Sequence, residues 1–199
     1  RVLFRSQSNY LPWKGYFDLI NYVDEFVIYD CVPYTKNDWR NRNRVIVNGK
    51  PTWLTIPVRQ RSLHQRIDET EIADDRWPVR HRRCIQQSYG KAPGFERCLE
   101  AISDVYSQCN DIKMLSAVNT AFIRCICRLL GIHTRLRSAA EFDLPGGRVE
   151  RLVRICKELG ATEYVSGPRA KDYLEVDAFT EHGVGVTWFD YRSEEHTSE

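Results

Sequence analysis

The sequence predicts an α/β protein: a parallel or mixed sheet wrapped by helices, interrupted by a β-hairpin and a helical insertion. Three observations carry this. The amphipathic stretch Lys14 to Tyr22 runs into the apolar segment Glu25-Phe26-Val27-Ile28-Tyr29-Asp30, which reads as a helix feeding a strand buried on both faces. From residue 134 to residue 189, strand-like and helix-like segments alternate, as βαβ units do. Between these regions stand an Asn48-Gly49 hairpin signal and three helical patterns in succession.

The elements follow in order. The stiff turn Tyr10-Leu11-Pro12-Trp13 precedes the first helix, in which Tyr16, Phe17, Leu19, Ile20 and Val23 recur at roughly helical spacing. Arg44 to Val47 and Pro51 to Val58 flank Asn48-Gly49, the dipeptide favoured by a type I′ turn, and Pro57 confines the second strand to an edge or an end. Residues 60–75 are an acidic loop with one short strand. Helices are expected over 77–89, 93–108 and 111–130, the last capped by Asp111 and closed by Gly131. A strand over 134–138, an amphipathic helix over 147–159, a strand over 163–166, a short helix over 170–174 and a strand over 184–189 complete a Rossmann-like alternation. One domain over 7–191 with a helical lobe at about 77–131 is the expected organisation. The ends, Arg1–Ser6 and Arg192–Glu199, resemble translated sequencing adapter and are expected to be non-native. The alternative is a natural first strand, since Val2-Leu3-Phe4 is apolar enough to pair in a sheet.

Composition excludes several classes. With 29 Lys+Arg against 27 Asp+Glu the formal net charge is only +2, which argues against broad nucleic-acid binding while leaving local basic patches open. Seven Cys with no C-x-x-C pattern read as reduced thiols in a cytoplasmic setting. The most apolar stretch, Ala117 to Leu130, is broken by Asn119, Arg124 and Arg128 and falls short of the roughly 18 residues of a membrane span. There is no His-x-x-x-His, no zinc-type Cys pairing and no calcium-loop order, so no metal site is expected; no Walker motif, G-x-G-x-x-G or nucleophile elbow occurs, and no cofactor is indicated.

Several residues could carry chemistry. Gln7, Asn9, Tyr10 and Trp13 surround a Pro-Trp turn ahead of a helix, a position that in a doubly wound sheet binds ligands, although Tyr10 and Trp13 could equally be core. The segment Tyr34 to Arg44 is densely polar. If it is extended, Arg40, Arg42 and Arg44 form one row beside Lys36, with Asn41 and Asn43 between them, suited to a phosphorylated or carboxylate ligand. Single-stranded nucleic acid stacked on Trp39 is the rival, and a solvated edge is the plain alternative. Asp30 ends an apolar strand, where a carboxylate holds a ligand, caps a turn or pairs with Lys36 or Arg40. His81 is either a proton-transfer group or one more polar residue on the Arg80–Arg83 face. Ser166-Gly-Pro-Arg-Ala-Lys171 follows a strand and could present amides and Lys171 to an anion, or simply turn.

At Gln7 to Phe17 and Tyr34 to Arg44 the chain resembles the WbqC-like family, bacterial proteins often encoded in O-antigen, other polysaccharide or secondary-metabolite clusters. The likeness continues through Trp53 to Val58, His81, Tyr89 to Pro93 and Ser166 to Leu174, and covers essentially all of 7–191. It implies a transferase passing glycine or another aminoacyl group from a small anionic or activated donor to a sugar-linked acceptor. On that reading Asp30 and His81 are the catalytic candidates, and Gln7, Asn9, Tyr10, Trp13, Lys36, Trp39, Arg40, Asn41, Arg42, Asn43, Ser166 and Lys171 the binding ones. The family's usual opening His-Gln-Pro is Ser6-Gln7-Ser8 here, so no role for that His carries over, and the family's C-terminal extension is missing. The first motif also loosely resembles the strand–loop–helix of nucleotidylyltransferases, without their signature histidines. The competing classes are a nucleotide- or RNA-binding module and a non-catalytic partner of a polysaccharide enzyme.

Overall fold

The computed structural model describes residues 1–172 and 174–191; the expectation for 192–199 lies outside the described residues. The chain divides into two compact units, one made of 1–6, 13–29 and 133–199 and the other of 7–12 and 30–132.

The first unit is the α/β sheet. β1 (Val2–Ser6), β2 (Glu25–Ile28), β7 (Arg135–Ser138), β8 (Glu163–Ser166) and β9 (Gly185–Trp188) lie in the order β7-β2-β1-β8-β9. Every pairing is parallel, so of the parallel and mixed alternatives the parallel one is realised. Val2–Ser6, expected from its adapter-like sequence to be non-native with a strand only as the alternative, is the central strand, and Leu3 and Phe4 are buried. Strand order reverses between β1 and β8, the place where open α/β sheets bind ligands beyond their carboxyl ends. α1 (Lys14–Tyr22) spans the expected residues and buries Tyr16, Phe17 and Ile20. Gly15 is required there because the Trp13 ring occupies the space a Cβ would fill. α5 (Arg148–Glu158) buries Leu152, Val153, Ile155 and Cys156. The helix expected over 170–174 is a 3₁₀ turn over Pro168–Asp172, and α6 (Val176–Thr180), too short for a periodic signal, follows it.

The second unit holds the hairpin and the helical insertion. β3 (Arg42–Val47) and β4 (Lys50–Thr55) pair with Val47 opposite Lys50, leaving Asn48 at φ 49° and Gly49 at φ 75°, the two left-handed residues a type I′ turn demands. β4 stops before Pro57, which has no N–H to donate, and the chain re-pairs as β5 (Val58–Arg59) with β6 (Glu71–Ile72). α2 (Trp77–Tyr89) has the expected bounds. α3 begins at Phe95 and runs to Gln108, because Gly94 is left-handed at φ 77° and breaks the approach. α4 (Leu115–Leu130) starts four residues later than Asp111. Residues before it are held extended: Ile72 N–H donates to Lys113 O (2.9 Å), and Leu115 N–H donates to Thr70 O (2.9 Å). Those bonds compete directly with a helical first turn. α2 packs on α3 and α3 on α4, around a core of Tyr10, Tyr34, Val45, Leu54, Ile56, Ile67, Trp77, Val105, Tyr106, Leu115, Val118 and Phe122. Among the described residues no helix is long and apolar enough to cross a membrane.

Candidate functional site

The polar chemistry of the second unit converges on Asp30. Its carboxylate is 3% exposed and accepts from the Ser8 N–H (Oδ1, 2.8 Å), from the Ser8 hydroxyl (Oδ2, 2.6 Å) and from the Ser116 hydroxyl. Neither alternative weighed from sequence, a cap or a pair with Lys36 or Arg40, is the first contact. Burial pushes the Asp30 carboxyl above its ordinary pKa, against the three hydrogen bonds and the charge of Arg40, which pull it down. A carboxylate so placed holds a proton more readily than a solvated one.

The cluster extends outward from there. Asn119, fully buried on α4, donates from Nδ2 to Ser8 Oγ (3.0 Å) and to Arg40 O (2.8 Å), tying the residue 7–12 segment to the turn ahead of β3. Arg40 is not part of an extended row. It sits before β3, and its guanidinium donates to Asn9 Oδ1 and Gln7 Oε1. A guanidinium has five N–H donors, so most remain after these two bonds. Asp38 Oδ2 stands 3.5 Å from Nη2. Asn41 is buried, donates to Ile56 O (2.8 Å), and its Oδ1 has no partner among the described residues; neither has Asn119 Oδ1. Two buried acceptors without donors are costly in a protein interior.

The remaining candidates separate. Tyr10 is fully buried, and its hydroxyl meets Tyr106 Oη (2.6 Å) and His81 Nδ1 (2.9 Å). His81 therefore does not share the solvated face of Arg80, Arg82 and Arg83. Its ring packs on Trp77 and Tyr10, hydrogen-bonds the Thr55 backbone, and burial drives its pKa down to about 4. Because the folded pKa lies below the unfolded value of about 6.5, unfolding takes up a proton between those values. Stability is then lost as pH falls from about 6.5 to about 4, by about 3 kcal/mol. Urea midpoints at pH 7 and pH 4.5 should diverge in the native chain and diverge markedly less in His81→Gln.

Arg42 and Arg44 point along the exposed face of β3 with Trp39 and Trp53. Asn43 donates to Leu11 O and accepts from Arg44 N–H (2.7 Å), bracing the turn. Lys36 is solvent-exposed. Trp13, Ser166 and Lys171 belong to the sheet unit. There Trp13 is exposed and meets Tyr191 edge-on at 4.8 Å, Ser166 ends β8 and is buried, and Lys171 is exposed with Nζ 5.7 Å from the Trp188 ring. Among the described residues no group of His, Cys, Asp and Glu could hold a metal ion.

Ser8, Ser116 and Asn119 escaped the sequence reading of the site. For Asn119 a signal existed: a polar residue on the stripe Leu115-Val118-Phe122 of an otherwise apolar helix. Ser116, one turn earlier, becomes legible only once α4 is known to start at Leu115.

The model of the WbqC-like protein family matches residues 7–198. The uncharacterized protein Rv1507c of Mycobacterium tuberculosis is 44% identical over 186 residues, which are 93% of this chain and 80% of that relative. No solved structure matches the chain.

Proposed function

The chain belongs to the WbqC-like protein family, whose name carries no reaction, and we propose, from what that resemblance implies together with the site, that it is a transferase acting in surface-polysaccharide or secondary-metabolite biosynthesis. It passes a glycyl or other aminoacyl group from a small anionic or activated donor to a sugar-linked acceptor. One observation carries this reading: a buried carboxylate, Asp30, wired through Ser8 and Asn119 to an arginine whose head is oriented by Gln7 and Asn9.

Arg40 binds the phosphate or carboxylate of the donor with its remaining N–H groups, the anion taking the place of Asp38. The amine or hydroxyl of the acceptor attacks the donor's acyl carbon, and the donor's leaving group departs with the electron pair of the broken bond. Asp30 is too deeply buried to meet the acceptor, so the proton reaches it through the Ser116 hydroxyl, which already donates to Oδ2. His81 acts only by fixing Tyr10.

A thermal-shift screen against nucleotide sugars, acyl carriers and aminoacyl donors tests this. A ligand at about 100 times its Kd adds roughly 2.7 kcal/mol of stability, several degrees for a protein of this size. Arg40→Ala should weaken the responding ligand about ten- to hundredfold, as loss of charged hydrogen bonds does. A ligand that binds Arg40→Ala with unchanged affinity refutes the donor site. Turnover retained in Asp30→Asn with an unchanged pH profile refutes the proton route.

A further inference from the structure

We propose that the exposed face of the β3–β4 hairpin binds single-stranded nucleic acid, bases stacking on Trp39 and Trp53 and phosphates held by Arg42 and Arg44. The register sets Arg44 opposite Trp53 and Arg42 opposite Thr55, so Arg42, Arg44, Ile46, Pro51, Trp53 and Thr55 share one side of the ribbon. The other side carries Val45 and Leu54, both buried.

The outward side would ordinarily be plainly polar, and it is not. Trp39 and Trp53 are each 44% exposed, with ring centroids 5.6 Å apart. Arg42 lies 4.2 Å from the Trp53 centroid, and Arg44 lies 5.4 Å from Trp53 and 6.0 Å from Trp39. Guanidiniums stacked on indoles extend the flat π surface; Arg42 is braced by donating to Asn37 Oδ1 (3.4 Å) and Asn37 O, which leaves part of its five-donor fork for a phosphate, and exposed Arg44 presents its N–H edge outward. The six residues of this face include no acid.

Charge on the page supports the same occupant. From residue 36 to residue 66 there are eight Lys and Arg and a single acid, Asp38. The hairpin-bearing unit as a whole carries seventeen Lys and Arg against eleven Asp and Glu, a net of six positive charges that the near-neutral total conceals. A polyanion is the complementary partner. An open two-stranded ribbon encloses no small molecule, whereas a strand with unpaired bases can lay successive rings across two indoles. A duplex hides those rings, a polyphosphate has none, and the sugar rings of an acidic polysaccharide are saturated and puckered rather than flat and aromatic.

The test is anisotropy of a labelled twelve-nucleotide uridine oligomer titrated with the protein, followed in parallel by tryptophan fluorescence. Saturable binding with quenching is expected, weakened about tenfold between 50 and 200 mM salt if two to three phosphates are held. Trp53→Ala and Trp39→Ala should each cost about 5- to 100-fold, Trp53→Phe should retain most of the affinity because it keeps a ring, and Arg44→Ala should flatten the salt dependence. The proposal is overturned by absence of binding at 100-fold molar excess of protein. It is equally overturned if a duplex or polyphosphate binds as tightly, or if Trp53→Ala binds as the native chain does. None of these readouts involves Arg40 or Asp30, so the surface can fail while the transferase reading stands.

Discussion

Asp30→Ala is expected to destabilise the protein by about 2–4 kcal/mol, read as a lowered urea midpoint with an unchanged slope. Three donors converge on this carboxylate, and one of them, the Ser8 N–H, has nowhere else to turn. A buried donor left without a partner costs about 1–3 kcal/mol, and hydrogen bonds to a charged group contribute about 1.5–3 kcal/mol. The sum is trimmed on two sides. The Ser116 hydroxyl can rotate, and removing the carboxylate also removes the desolvation that raises its pKa. Asp30→Asn should cost less, about 1–2 kcal/mol, since one amide oxygen can still accept from Ser8 N–H while the amide nitrogen must face two hydroxyl oxygens. An Asp30→Ala chain as stable as the native one would mean that the cluster is solvated and the segment 7–12 is held by other contacts.

Much of the fold was legible because its signals are local. α1 and α2 have periodic apolar residues and clear stops, and their bounds were read correctly. The hairpin followed from Asn48-Gly49 alone, because only residues tolerant of positive φ close a two-residue loop with the right twist. What escaped is non-local. The start of α4 depends on bonds to Thr70 and Ile72, more than forty residues away, which the sequence around Asp111 does not announce. The central strand goes unpredicted for a different reason: Val2-Leu3-Phe4 is apolar enough to pair, but the sequence favours the adapter-like reading of Arg1–Ser6, and three apolar residues at a chain end are too weak a local signal to overturn it.

The site shows the same division. Gln7, Asn9, Asp30 and Arg40 were picked out by residue type and are brought together. The Arg row was read as one strand, yet Arg40 precedes β3 and turns to the amides while Arg42 and Arg44 stay with the tryptophans. Strand periodicity cannot see where a strand begins. Trp53 became visible only through the register that sets it opposite Arg44. His81 looked like one of four basic residues in a row. Helical geometry puts it on the Trp77 side, because residues four apart share a face.

Trp77→Ala is expected to cost about 3–5 kcal/mol, the range for emptying a buried aromatic site. The ring is fully buried and meets Tyr10 at 5.9 Å, His81 at 5.2 Å and Tyr106 at 6.0 Å, so its removal strips contacts from the hydroxyl–imidazole chain as well as from the apolar core. Trp77→Phe separates the two parts of that cost. The indole Nε1–H is buried with no partner among the described residues. A phenyl ring loses area but also relieves an orphaned donor worth about 1–3 kcal/mol, so the net change should stay within about 1.5 kcal/mol. If Trp77→Phe were as damaging as Trp77→Ala, the indole N–H would have to be bonded to an ordered water inside the core. In that case hydrogen exchange at Nε1, followed by NMR in the native chain, should be slow and should become fast only on global unfolding.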